Sequence, residues 1–448
     1  MSLPAAIAGE IAANGVAWDI LKELVRIGDR HPGHDGERQG AAVIEDRFED
    51  IGLDERDTTT FDIPGWCRGS ATLHIGPPYD RTFEGQHELL AHPGTSTTDV
   101  TGPLVDLGYA TPDAVETTDI DGAVVLASSG VPDEYPRDVS RMEKYVRAAD
   151  AGAAGFVFRT HAPGALPPTG SNAVDRIPSV GVSREVGTHL ERWCSRGRSD
   201  ARLSVESRTG SATSRNIEGT LGPDTETEVL VTAHVDGHDI SDGARDNGVG
   251  CALVVETARA LATLENSLKT SVRFVAFGAE EIGLRGASHW VENNDTDRVK
   301  CVVNVDAAGG SRTLKLHTQG FGAIEAAFES ATGDLRVPME TDRSVGPGTD
   351  AWAFARRGVP AATAASSSGA AERVEVESGR GWGHTHADSI DKLDRRDLRD
   401  LAIQVACGVA ELADSERSVP HESPGEMRAR LDDHHETVLR GTDSWPYR

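Results

Sequence analysis

Residues 228–237 read EVLVTAHVDG, residues 271–284 SVRFVAFGAEEIGL and residues 301–309 CVVNVDAAG. In each, a short apolar run stops at a side chain able to bind a cation. His234 and Asp236 close the first run, Glu280 and Glu281 the second, and Asp306 the third. Such runs, lacking polar alternation, mark strands buried on both faces. Helical patterns fall between and after them, at Val249–Leu264, Leu284–Asn293 and Arg395–Ala413. This alternation predicts an α/β fold: a mixed, mostly parallel sheet with helices on both faces. Ligands of such sheets gather beyond the carboxyl ends of the strands, where these residues lie.

Upstream, Ile20, Leu21, Leu24, Val25 and Ile27 predict one helix, and Ala42, Val43, Phe48 and Ile51 a second. Gly28, Pro32, Gly33 and Gly36 supply the turn between them. Met1–Trp18 has no basic opening and is interrupted by Glu10, so it reads as the start of a helix rather than a secretory signal. From about residue 90 to 204, short runs such as Val124–Leu126 and Phe156–Phe158 alternate with glycine and proline turns, around one helix at Arg141–Ala151. The last residues predict a polar helix with a frayed tail.

With 448 residues, the chain is long enough for two or three domains. Its 38 % hydrophobic and 26 % charged composition is that of a folded protein. No apolar run reaches the roughly 18 residues needed to cross a bilayer. Five cysteines (Cys67, Cys194, Cys251, Cys301 and Cys407), odd in number and without CxxC spacing, argue against disulfides and a thiolate metal site. A cytoplasmic location is expected. The net charge of −27 repels nucleic acid and anionic membranes. Only six of the 45 basic residues are lysine, and this balance is that of a protein adapted to high salt.

Two further segments carry candidate ligands. Residues 243–250, GARDNGVG, place Asp246 just before a helix, and residues 381–391, GWGHTHADSID, place His384 in a glycine-rich loop. Imidazole and carboxylate without thiolate suit zinc, or cobalt or manganese, at a hydrolytic site. A catalytic zinc takes three protein ligands and keeps one position for water. His234, Asp246, Asp306, His384 and one of Glu280 and Glu281 are too many for one ion. Two ions sharing a bridging carboxylate would use them all. Neighbouring residues leaving a strand point apart, so one glutamate can bind metal while the other serves as general base.

The motifs HVD, GARDNGVG, GAEEIGLRG, NVDAAG and GHTHAD, in this order, resemble the di-zinc aminopeptidase and glutamate carboxypeptidase family. So does GDRHPGHDGERQGAAVIEDRFEDIGL, residues 28–53, which is similar to that family's N-terminal helical hairpin. The resemblance implies that His234 and Asp306 hold one ion, Glu281 and His384 the other, and that Asp246 bridges them. It assigns Glu280 as general base and Asp236 as the carboxylate that orients His234, and it implies a peptide substrate. Residues 119–130, 142–158 and 177–187 (DIDGAVVLASSG, MEKYVRAADAGAAGFVF, IPSVGVSREVG) resemble the protease-associated domain, a smaller β-rich insert. The expected division is 1–90 and 205–415 for the peptidase, 91–204 for the insert and 416–448 for a polar tail.

One departure is visible. Where many members read Gly-Ser-Asp-His, this chain reads Gly348-Thr349-Asp350-Ala351, which bears on side-chain preference and not on the metals. His386 and His238 are rival ligands. His384 is preferred to His386 by its spacing to Asp388. His238 is set aside because an HxxxH pair works on a helix and this segment reads as strand then loop. Alternatives are a carboxypeptidase-type or glutaminyl-cyclase-like enzyme on the same fold, or a receptor-like binding protein without catalysis.

Overall fold

The computed structural model describes residues 3–160, 164–367, 381–414 and 416–447. Three helices open the chain: α1 (Leu3–Asn14), α2 (Ala17–Val25) and α3 (Asp35–Ile51). Met1–Trp18 is therefore not one continuous start. The chain breaks after Asn14, and buried Glu256 accepts the amides of Val16 at 2.5 Å and Ala17 at 2.9 Å, satisfying the first N–H groups of α2.

Strands β1 (Asp54–Ile75) and β2 (Arg81–Glu84) lead into the insert. It holds β3 (Leu89–Ala91), β4 (Thr98–Asp106), α4 (Pro112–Thr117), β5 (Val124–Ser128), α5 (Arg141–Asp150), β6 (Gly155–Arg159), β7 (Ser179–Val182) and α6 (Arg184–Cys194). Its core strands β4, β5, β6 and β7 are parallel. The return strand β8 (Asp200–Leu221) pairs antiparallel with β1 along nearly its whole length. This ribbon ties the two units together. The first part of β8 pairs with β4 of the insert and the last part with the main sheet. The expected boundaries at 90 and 204 thus fall inside β3 and β8.

The main sheet adds β9 (Glu228–His234), α7 (Val249–Ala262), β10 (Ser271–Phe277), α8 (Arg285–Asn293), β11 (Val299–Val305), β12 (Leu314–His317), α9 (Gly322–Leu335), β13 (Met339–Asp342), α10 (Ala351–Ala355), β14 (Ala361–Ser366) and α11 (Arg395–Leu412). Strands run in the order β13-β12-β14-β11-β9-β10-β8. β14, β11, β9 and β10 are parallel, β12 runs against β14 but parallel to β13, and β8 runs against β10. All of β9 is buried, as its unbroken apolar run predicts. Helices α1, α2, α3 and α11 gather around α7 on one side, and α8 packs with α10 on the other. The fold class read from the sequence is the one observed. No helix among the described residues is long and apolar enough to cross a membrane.

Two short helices follow, α12 (Pro424–Ala429) and α13 (Asp433–Gly441). Met427 and Leu439 are buried in the main core, so this end is docked rather than frayed. A capping box at Ser423 and Glu426 starts α12.

Candidate metal centre

The strand ends converge as their sequence predicts. β9 and β10 are paired so that His234 lies opposite Phe277, which puts the Glu280–Glu281 turn just beyond His234. β11 lies on the other side of β9 and delivers Asp306. Asp246 comes from the loop before α7, and its peptide bond to Asn247 is cis. Arg30, wholly buried, braces the loop between β9 and α7. It donates to the carbonyls of Val235 (3.0 Å), Asp242 (2.8 Å) and Gly243 (2.8 Å).

Asp246 divides its oxygens between two groups. Oδ1 lies 3.3 Å from His234 Nε2, which is also 3.7 Å from Asp306 Oδ1. Oδ2 lies 3.1 Å from His384 Nε2, itself 3.5 Å from Glu281 Oε2. His234, Asp246 and Asp306 bring ligand atoms within 4.8 Å of one another, as do His238, Glu281 and His384. The five residues singled out in the sequence, His234, Asp246, Glu281, Asp306 and His384, all lie in these two groups.

His238, set aside in the sequence, lies beside the second group. Its Nε2 is 3.0 Å from Glu281 Oε2, and its ring stands edge-on to His384 with centroids 4.3 Å apart. Setting it aside assumed that two imidazoles four residues apart meet only on a helix. Here the loop after β9 turns His238 toward the other group of ligands, away from His234. His386 lies outside both groups, between the carbonyls of Ile240 (2.9 Å) and Gln86 (3.1 Å).

Two buried aspartates set the ligand-bearing turns. Asp236 accepts the amides of Glu280 (3.1 Å) and Glu281 (3.0 Å), one with each oxygen. His234 Nδ1 lies 3.2 Å from the carbonyl oxygen of Asp236 and 3.4 Å from Oδ1, so this residue orients the imidazole chiefly through its main chain. Asp388 accepts the amides of Arg245 (2.7 Å) and Asp246 (3.1 Å). Glu37, also buried, accepts from Ser214 Oγ (2.6 Å) and from the amides of Ala279 (3.1 Å) and Gly33 (2.7 Å), tying the hairpin to the Glu280 turn. Sequence reading missed Glu37, for its α3 position looks like any polar helical site.

The electrostatics call for cations. Burial, with Asp246 adding to it, pushes the Glu281 carboxyl up to about 8 against the pull of His384. Glu280 is held well above its usual range by burial, with Glu281, Asp350 and Asp306 reinforcing it. For His234 burial opposes protonation, but Glu280, Asp236, Asp246 and Asp306 outweigh it. Asp350 is wholly buried, and among the described residues neither of its oxygens has a hydrogen-bond partner. Nor do His234 Nε2, Glu281 Oε1 or either nitrogen of His238. Orphaned imidazole nitrogens and carboxylate oxygens facing one another are costly without a shared partner, and the donor set is that of zinc. The residues fit divalent metal.

Residues 216–407 match the model of peptidase family M28, and residues 100–190 that of the PA domain. The chain is 28% identical over 440 residues to the aminopeptidase YwaD of Bacillus subtilis, covering 94% of this chain and 90% of that protein. It is 31% identical over 257 residues to leucine aminopeptidase 2 of Trichophyton rubrum, matching 54% of this chain and only 50% of that longer protein. Among solved structures it is similar to BSAP, a zinc aminopeptidase from Bacillus subtilis, at TM-score 0.68 and 25% identity, covering 91% of this chain and 97% of that one. The M28 peptidase precursor of Shewanella amazonensis shares the fold, with TM-score 0.77 and 21% identity over 94% of this chain and 98% of that one.

Proposed function

We propose that this chain is a co-catalytic two-metal aminopeptidase, with His234 and Asp306 holding one ion, Glu281 and His384 the other, and Asp246 bridging. The observation that carries this reading is the division of the Asp246 oxygens between His234 and His384. Zinc is the proposed metal on the donor set, with cobalt or manganese able to replace it. The amino-end preference follows YwaD, BSAP and leucine aminopeptidase 2, which are aminopeptidases by name.

Two such ions, when bound, polarise a scissile carbonyl and acidify a water. The chain does the rest. Glu280 is partly open where Glu281 is buried, and Asp236 fixes the turn that carries both. The Glu280 carboxylate takes the water's proton and returns it to the leaving amine.

Asp246→Ala tests the bridge. The parent protein should bind two equivalents of zinc, and the variant should lose at least one together with nearly all activity. Two ions bound normally in the variant would overturn the assignment. Aminoacyl-anilides against N-acyl dipeptides decide which peptide end is recognised. A reducing intracellular setting is also proposed, supported by five cysteines that are all free thiols.

A further inference from the structure

Within the insert, the chain between β6 and β7 runs back to the metal centre and meets His384. The Thr169 amide donates to the His384 carbonyl oxygen at 2.9 Å, and His384 Nδ1 lies 3.3 Å from the Thr169 carbonyl oxygen. The contact is built from both sides. Arg68 Nη2 donates to Thr169 Oγ1 (3.2 Å) while its guanidinium pairs with Asp239 (2.6 and 2.7 Å). Arg141, from α5 of the insert, donates to the Ser171 carbonyl (2.8 Å) and to Asn172 Oδ1. Gly170, at φ +127°, is where the backbone comes closest. A Cβ there would sit 2.8 Å from His384 Nδ1 and 2.6 Å from Arg141 Nη2.

We propose that the insert is a positioning element of the second metal-binding group: the Thr169–Gly170 peptide fixes the ring and tautomer of His384. Given two ions, as proposed above, His384 must offer Nε2 with its lone pair free, so its proton belongs on Nδ1. A main-chain carbonyl facing Nδ1 holds it there, and such outer partners of a ligating histidine set metal affinity. Nε2 then faces Asp246 Oδ2 and Glu281 Oε2. Any shift of the insert against the sheet moves this carbonyl, so second-ion affinity and insert placement are coupled, and each must stabilise the other.

The test is zinc titration of the metal-free protein by calorimetry, with Gly170→Ala beside Gly164→Ala. Gly164 lies in the same segment at φ +108°, and a Cβ there would meet only Leu166, at 3.8 Å. Gly170→Ala should weaken the second binding event by roughly 10–100-fold and leave the first unmoved, with kcat restored at saturating zinc. Gly164→Ala should leave both events as in the parent. Unchanged second binding in Gly170→Ala overturns the proposal while leaving two-metal catalysis intact, and an equal loss in Gly164→Ala overturns it as mere loop destabilisation. A parent protein that binds fewer than two ions removes the two-metal reading and this inference with it. Should Gly170→Ala not fold, Asn172→Ala, which removes an acceptor of Arg141, must show a smaller loss of the same sign.

Discussion

Asp388 takes the main-chain amide of Asp246 at 3.1 Å, with its other oxygen on the preceding amide at 2.7 Å. Both oxygens are thus spent on backbone amides, and burial pushes this carboxyl up to about 7. Asp388→Ala leaves two adjacent buried N–H groups without acceptors, each costing about 1–3 kcal/mol. The Asp246 carboxylate, proposed above as the bridge, then loses its fixed direction. Zinc affinity and kcat/KM should both fall roughly 10–100-fold, as for other outer partners of metal ligands. A titration matching the parent would show that the 243–250 loop holds itself.

Much of this was legible in sequence because parallel strands are written as unbroken apolar runs. Ser271–Phe277 appears at the length read, and Asp306, Glu280 and Glu281 fall at strand ends as expected. The ribbon of β1 and β8 was not legible. Its residues are mostly exposed or half-buried, with Pro64, Gly65 and Gly69 interrupting any alternation, and it holds together by cross-strand backbone pairing that leaves no apolar pattern. The meeting of Thr169 with His384, 215 positions apart, is likewise written in no local pattern. His238 failed for a different reason, a helical rule applied to a loop.

His238 should therefore matter to metal, in the group with Glu281 and His384 and not in that of His234. Burial holds it down to about 4, so it is neutral at pH 7 and able to share in binding a cation. His238→Ala is expected to weaken the second zinc equivalent by roughly 10–100-fold while sparing the first. Calorimetric titration reads this directly. An unaltered titration would reduce His238 to a packing neighbour of Glu281.

A pH dependence of stability follows from His34. Hydrogen bonding to Asp29, at 2.9 Å, raises its pKa from 6.5 to about 9 against an opposing effect of burial. A folded-state pKa above the unfolded one stabilises the fold fully below about pH 6.5, and that contribution fades as pH rises through about 9. Asp29 is more than half exposed, so the pair contributes only about 1 kcal/mol. Asp29→Asn should lower Tm at pH 6 and match the parent at pH 10. Equal losses at both values would point to an uncharged packing effect.

Salt should stabilise this protein. With 72 acidic against 45 basic residues, like charges crowd the surface. Lowering salt from 1 M to 0.1 M lengthens the screening distance from about 3 to about 10 Å, so repulsion reaches further. Tm and activity should both fall on desalting and recover when sodium or potassium chloride is restored. A Tm indifferent to salt would mean that the paired arginines, such as Arg273 with Glu55, Glu218 and Glu228, balance the surface locally.

Glu280 and Glu281 are chemically identical neighbours whose amides share one acceptor, Asp236, yet they should respond differently to the same change. Glu280→Gln keeps size and hydrogen bonding but cannot take a proton from water. It should retain both zinc equivalents, bind substrate with little change in KM, and lose kcat by a factor of about 10²–10⁴. Glu281, buried and facing His384 and His238, is the proposed ligand. Glu281→Gln replaces an anionic donor with a weak neutral one, so zinc affinity should fall along with rate, and excess zinc should restore part of the activity. Metal content and steady-state kinetics of the two variants, measured side by side, separate the roles. A metal-poor Glu280 variant beside a fully loaded Glu281 variant would exchange them, and full activity in both would remove hydrolysis by this centre altogether.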